Sequence, residues 1–316
     1  MGRECGWARQ HVPYQNTDVR REPDRQRTSA RGLKPTRMTI DLPPAFAFSQ
    51  SSLQDFADCP RRFQLRYLLA QDYPAPIAEP LSEVDRTIER GERFHALMER
   101  YWRGVSLSLE RVDPDLADLW QAFLDNPPPN VPRTFLRPEF SVTVKPAWAN
   151  GARLTAKYDL LAYDPDGEAL IVDWKTSRRT PRARLDRRLQ TILYPLLLVE
   201  AAPRLFGEAL SPERVRLLYW FGGEGGALES FPYSAARYAD DQRYIASLLA
   251  RLHSLTVAEF PLTADLRHCA HCQYRPLCER GESAGTFDEQ NTDVFPDLEE
   301  LREVIAAAAA SDDFVL

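Results

Sequence analysis

An α/β domain, with helices packed on a central mixed β-sheet, is the fold class this sequence predicts, and three observations predict it. Apolar residues recur at helical spacing in the first third of the chain; the period then drops to two over a cluster of short segments; helical and strand patterns follow in turn. A chain of 316 residues with 44% hydrophobic content is long enough to fill such a core.

Residues 1–44 are polar, basic and proline-dotted, without an apolar period, so they cannot offset the entropy of ordering and read as a flexible arm. Met38 is an alternative start just ahead of the first patterned segment. Ser51 with Gln54 reads as a capping box that opens a helix through Leu53, Phe56 and Ala57, interrupted by Pro60 before RRFQLRYLL resumes. Leu81 to Trp102 is a second helix: Val84, Ile88, Gly91, His95, Met98 and Trp102 recur at steps of four and three, which places His95 on the apolar stripe. From that stripe alone, His95 reads as a hydrogen-bonded core histidine. Leu107 to Pro138 is mixed, with a loop at Pro127-Pro128-Pro129.

The two-residue period then predicts strands at Glu139–Val144 and Leu154–Tyr163, and Ala169–Trp174 is a compact apolar strand. Pro181 to about Ala202 is helical, Val215–Phe221 and Leu228–Tyr233 form a strand pair, and Ser234 caps a long helix to about Ala258. The patterned domain thus spans 45–281. Residues 282–316 form an acidic tail with a short helix near 298–310, a solubilising segment or one that docks a partner or mimics DNA.

The formal charge of −6 and pI near 5.5 argue at first against a nucleic-acid binder. The charge is unevenly spread: residues 1–37 carry +5, residues 282–316 carry −9, and the body between them only −2. Of 40 basic residues only Lys34, Lys145, Lys157 and Lys175 are lysines, so a lysine inside a motif is informative. No signal-peptide pattern opens the chain and the longest apolar run, Ile192 to Val199, holds a proline; a soluble cytoplasmic protein is expected, with no membrane partner.

Between two strands, Asp164-Pro165-Asp166-Gly167 has proline and glycine where a type I turn with a left-handed closing residue places them. That loop pairs Asp164 with Glu168 and, counting outward, sets Asp159 opposite Asp173, with Lys175 on the same face as Asp173. Opposed Cβ atoms lie roughly 4.5 to 5.5 Å apart, and two carboxylates there are destabilising without a shared proton, an Arg or Lys, or a divalent cation. Lys175 supplies a structural ion pair on one reading. On the other, Asp173 ends a buried strand, where α/β sheets carry their sites.

The residues around the hairpin widen that choice. Ala156-Lys157-Tyr158-Asp159 followed by Ile171-Val172-Asp173-Trp174-Lys175 resembles the signature of the PD-(D/E)XK nuclease superfamily, and Gln190 with Tyr194 resembles the Gln-x-x-x-Tyr motif of its RecB-like branch. Gly91-x-x-Phe94-His95 is similar to that branch's helical histidine motif. Phe48-Ser49 through Leu53, Cys59-Pro60, Phe63 and Tyr67 is similar to its N-terminal segment. The resemblance covers about residues 48–280 and implies a restriction-endonuclease-like core. It further implies Mg²⁺ or Mn²⁺ held by Asp159, Asp173, the Trp174 carbonyl and His95, Lys175 orienting or activating water, and Gln190 and Tyr194 near substrate. Glu139, where the loop ends and the first strand begins, is a further carboxylate or a surface residue. Where the family often has glycine three residues before the first aspartate, this chain has Ala156.

Of the five cysteines, Cys269, Cys272 and Cys278 form a tight cluster needing a fourth partner, and Cys59 is the other cysteine of the patterned region; Cys5 lies on the arm and reads as free. By chemistry alone Zn²⁺ competes, with His268 or His271 as spare ligands. The resemblance, to AddB-like and CRISPR-associated exonuclease-like members, implies a [4Fe-4S] cluster clasping the N-terminal helices to the C-terminal loop. From Lys175 to Arg188 there are seven basic residues and one acid, so Arg178, Arg179, Arg182 and Arg184, extended by Arg61, Arg62 and Arg66, suggest a DNA phosphate groove.

These readings, the resemblance foremost, converge on a metal-dependent DNA nuclease, an exonuclease of DNA repair, recombination or related DNA processing. No Gly-x-x-x-x-Gly-Lys-Ser/Thr loop occurs, so any helicase or ATPase is a separate subunit. The alternatives are a non-catalytic DNA-binding subunit that keeps the cluster and a Zn-binding regulatory protein.

Overall fold

The computed structural model describes residues 42–43, 45–71, 81–105, 112–256, 258–270 and 272–281, all within the unit Met38–Leu316. Most of the basic arm, with Met38 and Cys5, lies outside the described residues, as do His271 and the acidic tail with its helix.

The elements follow in the order β1 (Ala47–Phe48), α1 (Gln50–Asp58), α2 (Pro60–Phe63), α3 (Leu81–Trp102), α4 (Ala117–Asp125), β2 (Phe135–Val144), β3 (Arg153–Tyr163), β4 (Ala169–Lys175), α5 (Arg182–Leu185), α6 (Leu189–Phe206), β5 (Val215–Phe221), β6 (Ala227–Pro232) and α7 (Ala235–Ser254). Six strands form one mixed sheet in the order β1-β3-β4-β5-β6, with β2 on the other side of β3. One face carries a core built with α1, α6 and α7, the other a core built with α3 and α4. The expected α/β architecture is therefore present. β4 is buried along its whole length between β3 and β5, which is why it reads as an apolar run. Among the described residues no helix is long and apolar enough to cross a membrane.

Several local expectations are corrected. The N-cap of α1 is Ser49, and its capping partner is Ser52, not Ser51 with Gln54. Phe48 is held in the sheet beside Leu154, so the chain must turn into the helix directly after it. Gly167 does not take a left-handed φ. Its N–H closes the turn on the Asp164 carbonyl at 3.0 Å, and Arg214 donates to the carbonyls of Gly167 at 2.8 Å and Asp164 at 3.1 Å, clamping the loop from outside. Strand β2 begins four residues earlier than expected and contains Pro138; it borders only β3, and an edge strand tolerates a missing donor. The helix expected from Pro181 to Ala202 is two, and α6 runs through Pro195 and Pro203 to Phe206.

The hairpin register is the expected one. Leu160 lies opposite Val172 and Tyr163 opposite Ala169, and pairing stops there, so the next opposed residues are Asp159 and Asp173. Leu154 pairs with both Val144 and Phe48, which puts β1 on the same side of β3 as β4. Between these two short contacts β3 has no partner on that side, and the sheet opens where the carboxylates stand.

Candidate functional site

The opening is sharpened by an inversion of strand faces. Along β3, Leu154, Ala156 and Tyr158 face the α6/α7 layer, as do Leu161 and Tyr163, while Leu160 and Ala162 face the α3/α4 layer. Strand β2 changes in step: Phe140, Val142 and Val144 pack with Phe135 on the first layer, and Leu136 packs on the second. The switch falls at Glu139 and Asp159, the opposed residues between Pro138–Leu160 and Phe140–Tyr158. Glu139 takes a left-handed φ of 49° in mid-strand. Such strain persists where the surroundings over-determine it, and it concentrates at functional sites.

The inversion divides the predicted residues into two groups joined by one peptide. In the first, the His95 Nδ1, Glu139 and Asp159 ligand atoms lie within 4.8 Å of one another. His95 Nδ1 is 3.6 Å from Glu139 Oε1 and 3.6 Å from Asp159 Oδ1. In the second, Asp173 accepts from Gln190 Nε2 and lies 3.0 Å from Lys175 Nζ, all three buried. Trp174 connects them: its N–H donates to Asp159 Oδ2 at 2.7 Å, and its carbonyl is 3.1 Å from His95 Nε2. The even alternation assumed from the sequence would put Asp159 and Asp173 on one face. The kink instead turns Asp159 toward α3, which carries His95, and leaves Asp173 toward α6, which carries Gln190.

A carbonyl oxygen can only accept, so a neutral His95 donates through Nε2 and presents its Nδ1 lone pair to two carboxylates. An imidazole nitrogen and two carboxylates then converge. Such a set calls for a cation, either a proton on His95 or a bound metal. Burial pushes the Glu139 carboxyl up, but His95 and Lys157 beside it outweigh burial and hold it below the usual carboxylate range. Lys157 Nζ lies 2.7 Å from Glu139 Oε2. Glu139 belongs with the group in mid-strand, not where a loop meets a strand, and Lys157 was not singled out at all. Its signal was its place two residues before Asp159 in an arginine-rich chain.

Around Asp173, Tyr219 lies opposite in the parallel register with β5, and its hydroxyl is 2.8 Å from Thr191 Oγ1 and 3.5 Å from Gln190 Oε1. Burial pushes that hydroxyl up, the Asp173 charge adding to it, so it stays a neutral donor. Tyr194 is buried with its ring edge-on to Tyr158 at 5.3 Å, and its carbonyl accepts from the Tyr158 hydroxyl.

The arginines divide as well. Arg178 and Arg179 are exposed on the loop after β4, within 3.8 and 4.0 Å of Glu224, and Arg182 pairs with Glu229 over the Phe231 ring. Arg184 is exposed, and Arg61 donates to Gln64. Arg62 is a correction. It is 5% exposed, with its guanidinium 2.7 Å from Asp55 and 2.8 Å from Asp58, so it is a buried structural cation and not part of a groove; Arg66 holds Asp55 at 2.6 Å in the same way.

The β4 loop is fixed by Gly223, whose N–H donates to the Ser177 carbonyl at 3.2 Å. A Cβ there would meet Ser177 C at 2.6 Å and Arg178 N at 2.8 Å. Gly223→Ala is expected to cost about 1–3 kcal/mol by overpacking, read as a lower urea midpoint at unchanged slope.

None of the four patterned cysteines is in a disulfide: Cys59 stands at the junction of α1 and α2, and Cys269, Cys272 and Cys278 on the C-terminal loop. Burial pushes the Cys272 and Cys278 thiols up, with Cys59 and Cys269 adding to it in each case. Arg280 Nη1 lies 3.1 Å from Cys269 Sγ. His268 is turned to Asp58 and Asp265, at 3.6 and 3.7 Å.

A model of the PD-(D/E)XK nuclease superfamily matches residues 47–279. Among solved structures, the chain is similar to a candidate exonuclease from Eubacterium rectale, at 10% identity over 77% of this chain and 90% of that one, with a TM-score of 0.46. It is also similar to the protein SSO0001, at 14% identity over 80% and 90%, with a TM-score of 0.35. No protein of curated function matches it.

Proposed function

The chain belongs to the PD-(D/E)XK nuclease superfamily, and from that premise we propose that it is a divalent-metal-dependent deoxyribonuclease of the RecB-like branch, an exonuclease serving DNA repair or recombination. The observation that carries this reading is the convergence of the His95, Glu139 and Asp159 acceptors beside the Asp173–Lys175 pair, at the point where β3 and β4 part.

The donor set fits Mg²⁺ or Mn²⁺: carboxylates suit both, and the imidazole favours Mn²⁺. His95, Glu139 and Asp159 would hold the ion, with the Trp174 carbonyl beside His95 and Asp173 next to it in the chain as the further oxygen donors. Bound there, the ion would lower the pKa of water and offset charge developing on the phosphate. Gln190, whose amide donates to Asp173, would orient that carboxylate, and the Lys175 ammonium would orient the attacking water. The strained backbone at Glu139 and the Trp174 hydrogen bonds keep these groups in place before substrate arrives.

Four cysteines, Cys59 with Cys269, Cys272 and Cys278, suit a [4Fe-4S] cluster, with Zn²⁺ as the competing centre. The cluster is the reading adopted, and iron and sulfide analysis of anaerobically purified protein tests it against zinc. Unwinding would fall to a separate helicase or ATPase subunit.

The test of function is incubation of the purified protein with end-labelled single- and double-stranded DNA in Mg²⁺, Mn²⁺ or EDTA. Mononucleotide or short-oligonucleotide release that needs the metal is expected; binding without release in either metal would make the protein a non-catalytic DNA-binding subunit. Replacing Arg178 and Arg179 together by alanine is expected to weaken DNA binding and reduce the slope of log affinity against log salt by about 1–2. An unchanged slope would remove the β4 loop from the DNA path.

A further inference from the structure

We propose that Lys157 is a positioning residue for the metal group: it grips one oxygen of Glu139 and so presents the other to the ion. The inference rests on the divalent-metal reading above and adds to it a role for Lys157, a residue of the Ala156-Lys157-Tyr158-Asp159 stretch to which the sequence reading gave none.

The two Glu139 oxygens have different tasks in the structure. Oε2 lies 2.7 Å from Lys157 Nζ, and Oε1 is the oxygen 3.6 Å from His95 Nδ1. Lys157 pairs across the strands with Ser141, so Glu139 is its diagonal neighbour, within reach of a long side chain. Its side chain is 36% exposed against 15% for Glu139, so the ammonium approaches from the solvent side and leaves the inner oxygen to the site.

The residue type matters. A guanidinium would favour a fork on both carboxylate oxygens, whereas an ammonium is a point donor that can hold one. In a chain whose other basic residues are nearly all arginines, the lysine stands where a single-oxygen grip is needed. The backbone of Glu139 adds to the argument. At φ 49° it is held in a conformation that non-glycine residues enter at a cost, and the Lys157 contact is one of the interactions fixing the side chain it presents.

Charge alone and positioning predict opposite results. Removing a cation beside a metal site tightens metal binding if only charge matters, and loosens it if the lost cation aimed a ligand. The test is Mn²⁺ binding by calorimetry to the full chain without DNA, with thermal melts as the control for folding. Lys157→Met is expected to weaken Mn²⁺ binding by about 10- to 100-fold, and to cause no further loss when added to Glu139→Gln. Mn²⁺ binding that is lost in Asp159→Ala yet unchanged or tighter in Lys157→Met overturns the role of Lys157 alone, as does full additivity of Lys157→Met with Glu139→Gln. A wild-type protein that binds no Mn²⁺, or an Asp159→Ala variant that binds it as well as wild type, overturns the metal reading and this inference with it.

Discussion

Replacing Asp173 by alanine is expected to lower metal-dependent DNA hydrolysis by about 10³-fold or more. The carboxylate is 2% exposed, receives the Gln190 amide and stands 3.0 Å from Lys175 Nζ. Its loss therefore removes a charge at the site and takes from a buried ammonium a carboxylate 3.0 Å away. The second effect bears on stability: breaking one half of a buried ion pair costs about 3–5 kcal/mol. Asp173→Asn separates the two consequences. The asparagine keeps a carbonyl oxygen for Gln190 and the same volume, so it is expected to lose as much activity with a smaller fall in melting temperature. End-labelled DNA assays with Mn²⁺, run beside thermal melts of the wild type and both variants, read out the pair. Hydrolysis by Asp173→Asn at the wild-type rate would reject the assigned site.

That site was legible in the sequence as a list of residues and much less as a geometry. The turn at Asp164 to Gly167 sets which residues oppose one another, and the opposition of Asp159 to Asp173 follows from counting. Which face each carboxylate takes depends on a backbone kink shared by Glu139 and Asp159, and a period-two pattern assumes that no such kink exists. Glu139 was underrated for the same reason, since Pro138 before it reads as a breaker unless β2 is known to be an edge strand. The arginines show the converse limit. Arg61, Arg62 and Arg66 read alike in sequence, yet α1 buries Asp55 beside two of them, and a carboxylate that must be neutralised inside the protein decides their role. Helix α4 was missed because its nine residues, with three prolines shortly after, carry too little periodicity to stand out.

The second large effect concerns the cysteines. Cys278→Ser is expected to lower stability by about 3 kcal/mol, a fall in melting temperature of about 6–12 °C for a domain of this size. Joining Cys59 to a loop roughly 200 residues away would constrain the unfolded chain by about 5 kcal/mol on loop entropy alone. The full amount is not expected, because the protein already closes that loop without the thiols. Phe260 stacks on Phe63 with centroids 6.4 Å apart, the Arg61 N–H donates to the Pro261 carbonyl at 3.2 Å, and buried Tyr274 reaches the Gln71 carbonyl at 3.5 Å. These contacts hold the residues just before the cysteines and one between them, while Cys278 lies beyond. Its loss should therefore loosen the last turn of the loop first, exposing it to limited proteolysis after Tyr274 while α1 and the sheet remain protected. Because none of the four cysteines belongs to the proposed catalytic group, hydrolysis per bound DNA should persist even as DNA binding weakens. A Cys278→Ser protein with the wild-type melting temperature and protease resistance would mean that the four thiols hold nothing together.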